Sequence, residues 1–153
     1  FIVNMDFGIS KNAAELEAKE KEFEEIAANA NQNLKMLYQR IVYVEGKCYL
    51  QNNEKCLSQI DNYWLALKQL EREESKLNTI IQEKCEEEVP LHLRMLEDDS
   101  NSIASKEQYD ASKNYWECTS ESRESFKNFA IKKAKLLSEA FVSLKQFLPQ
   151  KPN

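Results

Sequence analysis

The sequence predicts an all-α protein: an elongated antiparallel bundle of three long helices, with a short extra helix at one end and two disulfides tying it. Three observations carry this. The first is one stripe on the longest helix. Phe23, Ala27, Ala30, Leu34, Leu37, Ile41, Val44 and Cys48 recur at alternating steps of four and three, with Glu, Asn, Gln, Lys and Arg between them. That is heptad spacing sustained for about seven turns. A stripe so narrow and long packs along other long helices rather than into a β core. The second is the scarcity of chain breakers, two Gly and three Pro in 153 residues, which favours long helices with few turns. The third is the placing of four cysteines at the ends of predicted helices.

The chain is expected to fold as one domain, 1–153, with an extended arm over 1–9 and a tail over 149–153. Ser10 or Asn12 can cap the first helix, and Asn12 with Glu15 resembles a capping box. This helix is predicted to run to about Glu45, with Gly46 as its terminating residue. Tyr49 to Asn53 is a short polar connection, and Asn52 or Asn53 can cap the second helix. The second stripe is Cys56, Ile60, Tyr63, Leu67, Leu70, Leu77 and Ile81, with Glu74 as its one polar interruption. A connection this short makes the two helices antiparallel neighbours. Pro90, after Val89, is expected to end the second helix.

Leu91 to Leu96 reads as the short extra helix, and Glu97 to Ser102 as an acidic loop. Ser105 to Gln108 is a capping box opening a helix that carries Tyr109, Tyr115 and Trp116. Between Thr119 and Ser125 the stripe fades, so the last helix either kinks or restarts from Ser120 or Ser122. It then returns as Phe126, Ala130, Ala134, Leu137, Phe141, Leu144 and Leu148.

Cys48, Cys56, Cys85 and Cys118 form no Cys-x-x-Cys pair and lack histidines at zinc spacing. They are either reduced core residues or two disulfides, and their positions fit the second. At a rise of about 1.5 Å per residue, Cys56 to Cys85 and Cys118 to Leu148 each span about 45 Å. Antiparallel packing then sets Cys118 level with Cys85, and Cys48 beside Cys56 across the first turn. A bridge needs Cα atoms within about 7 Å, so the consistent pairing is Cys48–Cys56 and Cys85–Cys118. The segment from Glu86 to Glu117 would then project beyond the bundle end.

Composition excludes several function classes. The formal net charge of −5 argues against nucleic-acid binding, which needs a basic surface. No apolar run approaches the ~20 residues of a membrane span. The chain begins at Phe1, as expected of a product whose signal peptide has been removed. Asn-x-Ser/Thr sequons are absent, so N-glycosylation is not expected. One histidine, His92, makes no Ser–His–acid set, and no Gly-rich phosphate loop or Glu-x-x-His ligand motif occurs. The expectation is a non-enzyme with no cofactor and no metal.

The helical stripes, the four cysteines and the Lys/Glu/Asn-rich composition resemble small, secreted, disulfide-tied helical proteins of arthropod saliva and parasite surfaces. That resemblance implies an extracellular, monomeric antagonist that sequesters or blocks a host protein through a surface patch. The patch expected from the sequence is the projecting acidic cap with its aromatic neighbours: Glu86, Glu87, Glu88, Glu97, Asp98, Asp99, Tyr109, Tyr115 and Trp116. The alternative is a carrier of a small hydrophobic or amine ligand, held in the helical core near Trp64 and Trp116.

Overall fold

The computed structural model describes residues 2–86 and 106–149, with side chains over 13–86 and 109–149. The fold is an all-α bundle. Its elements are α1 (Ile2–Leu50), α2 (Glu54–Lys84), α3 (Lys106–Cys118), α4 (Ser120–Leu144) and a closing 3₁₀ turn (Lys145–Phe147). There is no strand among the described residues. The expected short helix over Leu91 to Leu96 and the tail beyond Pro149 lie outside them.

Helix α1 is longer at both ends than its caps suggest. It begins at Ile2, so the segment expected as an extended arm forms its first turns, and Ser10 and Asn12 lie inside the helix. Propagation explains this, since one isolated glycine, Gly8, costs only about 1 kcal/mol once the helix is under way. At the other end α1 runs through Gly46, which has no positive φ, to Leu50. The terminating residue is Asn52, with φ at 51°. Its N–H donates to the Tyr49 carbonyl (3.2 Å), and the Asn53 N–H donates to the Cys48 carbonyl (2.9 Å). This is the paired-bond helix stop in which the left-handed position usually goes to Gly and sometimes to Asn.

The next residue starts α2. Asn53 Oδ1 accepts from the Cys56 N–H at 3.1 Å, satisfying one of the donors that a helix N-terminus leaves unpaired. Adjacent asparagines thus divide the turn, Asn52 closing α1 and Asn53 opening α2. At its far end α2 stops at Lys84, short of Pro90. There Cys85 N–H reaches both Ile81 and Gln82 carbonyls, and Glu86 N–H reaches Glu83, a tightening typical of last turns.

The last helical segment breaks at Thr119 and restarts at Ser120. A continuous helix would offer the Trp116 carbonyl to the Ser120 N–H. That carbonyl instead accepts from the Arg123 guanidinium and, at 3.2 Å, from the Thr119 hydroxyl. Side-chain donors inserted into the ladder are a recognised cause of helix breaks.

Contacts within the chain gather into two compact units. Helices α1, α2 and α4 each contribute to both. One unit comprises Ala27–Ser75 with Phe126–Asn153. Its core is Leu37, Ile41, Val44 and Cys48 of α1, Cys56, Ile60 and Leu67 of α2, and Leu137, Ala140 and Leu144 of α4. All but Ala140 are stripe positions of the three helices; Ala140 is buried where Phe141, its stripe neighbour, is only partly so. Cys48 bonds to Cys56 across the Asn52 turn, with Cα atoms 6.1 Å apart and both cysteines fully buried. Glu74 meets Lys133 in this unit, Nζ to Oε2 at 2.7 Å. The polar interruption of the α2 stripe is therefore a charge matched from α4.

The other unit comprises Phe1–Ile26 with Lys76–Ser125. Cys85 bonds to Cys118 here, with Cα atoms 6.0 Å apart. Partners on α2 and on the α3–α4 segment run in opposite directions: Asn78 accepts from the Ser122 hydroxyl at 3.1 Å, Lys84 faces Glu121 at 4.0 Å, and Cys85 takes Cys118. That descending order is the antiparallel register. Ile81, Cys85 and Ala111 are buried.

Candidate functional site

Two surfaces are candidates, one in each unit. The first holds Tyr109 and Trp116 of the acidic-aromatic patch expected from the sequence. Tyr109 and Trp116 of α3 line a 230 Å³ cleft with Leu16 and Lys19 of α1 and with Arg123 of α4. Glu15 and Glu117 are on its rim. Arg123 organises the cleft. Its guanidinium lies 3.4 Å from the Trp116 ring centroid, Nη1 donates to Thr119 Oγ1 at 2.8 Å, and Nη2 donates to the Trp116 carbonyl. Burial pushes its pKa below the ordinary value, while the Glu20 charge and Tyr115 oppose that shift. Tyr115 is half-buried, and Glu86 is exposed one residue beyond Cys85. Glu87, Glu88, Glu97, Asp98 and Asp99, with His92, lie outside the described residues.

One face of the Trp116 ring is thus covered by a cation of the chain itself. Trp64, the other tryptophan of the expected ligand pocket, lies in the other unit. Its Nε1 donates to Glu45 Oε2 at 2.8 Å and its ring packs on Tyr38 at 4.9 Å. Both indoles have structural partners.

The second surface lies on the last turns of α1. Val42, Tyr43, Tyr49 and Leu50 are 43, 58, 73 and 79% exposed. With Glu45, Gly46 and Lys47 they line a shallow, open hollow on this one helix. They sit at helical spacing on the side away from Ile41, Val44 and Cys48, so α1 is apolar on two faces here. A helix with apolar residues all round is ordinarily covered on both sides. Gly46 lies at the middle of the outer face, and a Cβ placed there would meet nothing within 4 Å. Tyr43 also borders a second groove, of 360 Å³, lined by Met36, Gln39 and Arg40 of α1, Phe141 of α4 and Leu148.

This surface was not among the residues expected from the sequence. Its signal is nevertheless there: Ile41 to Leu50 has apolar residues at both the core phase and the opposite phase. Apolar helical residues default to core, and only the packing shows which face is left over.

Among the described residues, no group of three or more His, Cys, Asp or Glu side chains could hold a metal ion, and no helix is long and apolar enough to cross a membrane. The arrangement offers apolar contact, cations and fixed geometry, which is the equipment of binding. No protein-family model, curated protein or solved structure matches the chain.

Proposed function

We propose that the chain is a secreted, non-enzymatic binding protein that docks an extracellular protein through the outer face of α1, from Val42 to Leu50, and thereby blocks or sequesters it. The observation that carries this is the exposure of four large apolar side chains in one stripe. Exposed apolar surface forgoes about 25 cal/mol per Å² that burial would contribute, and such patches mark interaction sites. The Cys48–Cys56 bridge and the Asn52 stop hold this end of α1 rigid, so little ordering is left for binding to offset. Two disulfides support an oxidising, extracellular setting.

Tyr49 and Leu50 replace the acidic cap as the centre of the proposed patch. The test is a binding screen of purified extracellular ectodomains against the oxidised protein, using the wild type, a Tyr49→Asp/Leu50→Asp variant and a Glu86→Lys variant. A saturable binder weakened about tenfold or more by the first variant and unchanged by the second is expected. A binder that responds only to Glu86→Lys, or no binder at 10 µM (about 7 kcal/mol of affinity), refutes the reading.

A further inference from the structure

The outer face of α1 is arranged symmetrically about Gly46. Val42 and Leu50 stand one helical turn to either side of it, Tyr43 and Tyr49 stand just inside them, and Glu45 and Lys47 are its immediate neighbours. At about 100° per residue, the four apolar side chains fall within about 60° of Gly46, and the two charges fall on opposite flanks. All of them line the same hollow. The flanks look toward different helices. Glu45 is on the α2 side, where its Oε2 accepts from Trp64 at 2.8 Å. Lys47 is on the α4 side, one heptad beyond Arg40, whose guanidinium carbon lies 5.6 Å from the Phe141 ring centroid. Lys47 Nζ lies 5.5 Å from the centroid of Tyr43, which borders the groove with Phe141. The apolar face is short. One heptad before Val42 and Gly46 it carries Lys35 and Gln39, both exposed.

An apolar face with an anion on one flank and a cation on the other is complementary to itself. It can meet a copy in two symmetrical ways, and charge separates them. A two-fold axis along α1 sets the α2 flank of one copy against the α4 flank of the other, so each Glu45 meets the second copy's Lys47. A two-fold axis across α1 sets like flanks together, Glu45 with Glu45 and Lys47 with Lys47. Opposite charges flanking a helix–helix seam fix the orientation of the pair. Glu45 retains capacity for this, because a carboxylate accepts at about four positions and Trp64 takes one. In the parallel pairing Gly46 also lies opposite Gly46. Neither helix has a Cβ there, so the backbones can approach closely at the crossing. Val42, Tyr43, Tyr49 and Leu50 then close around it.

We propose that two copies of this chain pair through this face as a parallel, two-fold dimer that crosses at Gly46, with Glu45 and Lys47 of each copy answering Lys47 and Glu45 of the other. The interface is isologous, one patch used twice. A single short helix face is at the small end of specific interfaces, so the dimer is reversible and micromolar. Pairing covers Tyr49 and Leu50. A second copy and an extracellular partner therefore compete for one face, and the dimer is the masked form of the binding protein. That masking rests on the docking role proposed above; the pairing itself does not, and either can fail alone.

The test is sedimentation velocity of the oxidised protein from about 1 to 100 µM, with circular dichroism at 222 nm to verify that each variant is folded. The proteins are the wild type, Lys47→Glu, Glu45→Lys/Lys47→Glu, Tyr49→Asp/Leu50→Asp, and Lys132→Glu. Lys132 is an exposed cation of α4 that borders no part of the hollow, so its reversal matches Lys47→Glu in net charge alone. The wild type is expected to pass reversibly from monomer to dimer. Lys47→Glu, which sets carboxylates against carboxylates twice, should weaken pairing about tenfold. The exchanged pair Glu45→Lys/Lys47→Glu should recover most of that loss, Tyr49→Asp/Leu50→Asp should be monomeric, and Lys132→Glu should match the wild type. A wild type that stays monomeric at the top concentration overturns the proposal. So does an unchanged dimer in Lys47→Glu, the result of antiparallel pairing, or an equal loss in Lys132→Glu. If the exchanged pair does not fold, Lys47→Glu against Lys132→Glu decides alone. Dimerisation with no ectodomain bound removes the docking reading and leaves the pairing; a bound ectodomain with no dimer does the reverse.

Discussion

Replacing Glu74 by Leu tests whether the bundle depends on a charge in its stripe. The glutamate and Lys133 side chains are only 15% and 17% exposed, and Nζ stands 2.7 Å from Oε2. That oxygen is buried and has no hydrogen-bond donor besides this ionic contact among the described residues. Exposed ion pairs contribute about 0.2–1 kcal/mol. Removing one member of a fully buried pair costs about 3–5 kcal/mol, because the survivor keeps its desolvation penalty. This pair is buried over most of its surface but retains a solvent-facing edge, so Glu74→Leu should cost about 2 kcal/mol. For a chain of this size that corresponds to a fall in Tm of about 4–8 °C. Glu74→Leu/Lys133→Leu should return to within about 1 kcal/mol of the wild type, since a packed apolar pair can replace a buried ionic one. The assay is urea unfolding followed by circular dichroism at 222 nm for the wild type, both single variants and the double variant. The cycle isolates the coupling; with about 2 kcal/mol lost in each single variant and about 1 kcal/mol in the double, it is expected at about 3 kcal/mol. A coupling below about 0.5 kcal/mol, or a Glu74→Leu single variant more stable than the wild type, refutes the reasoning. It would show that Lys133 reaches solvent and that the carboxylate is a net cost to the stripe.

Three other outcomes follow from the same structure. The two disulfides close loops of unequal length, with separations of 8 and 33 residues. Loop-closure entropy alone gives about 2.5 and about 3.7 kcal/mol, so Cys85→Ala/Cys118→Ala should lower stability more than Cys48→Ala/Cys56→Ala in denaturant unfolding; the reverse order would place the energetics in local packing. Gly46→Ala should raise stability by about 1 kcal/mol, because Gly46 is helical and a new Cβ meets nothing; the same change should weaken the docked partner if that partner enters the Gly46 hollow. Arg123→Lys should lose the paired bonds to Thr119 and to the Trp116 carbonyl, shifting tryptophan emission and costing about 1–2 kcal/mol; unaltered emission with unaltered Tm would remove Arg123 as the organiser of the Thr119 break.

Some of this was legible before any packing was known. Periodicity reports which side of its own helix a residue occupies, and that sufficed for the α1, α2 and α4 stripes that form the core. Helical rise converts residue number into length, and length with antiparallel order left one feasible cysteine pairing, the one found. Capping chemistry is local too, so Asn53 as the start of α2 and Ser120 as the restart were among the readings the residues themselves offered.

The remainder depended on neighbours that sequence spacing does not name. Gly46 looked like a stop because glycine tolerates the left-handed turn, yet the turn formed at Asn52, where Cys48 and Tyr49 carbonyls find their donors. Glu74 looked like a flaw until α4 brought Lys133 to it. Val42, Tyr43, Tyr49 and Leu50 carry the same apolar signature as core residues, and only the placing of α2 and α4 on the opposite side of α1 leaves them outside. The sequence by itself therefore determined the helices, their antiparallel order and the covalent ties, because these follow from backbone geometry and local chemistry. Tertiary structure alone decided which charges meet and which apolar face stays open, because both depend on how one helix is turned about its axis against another.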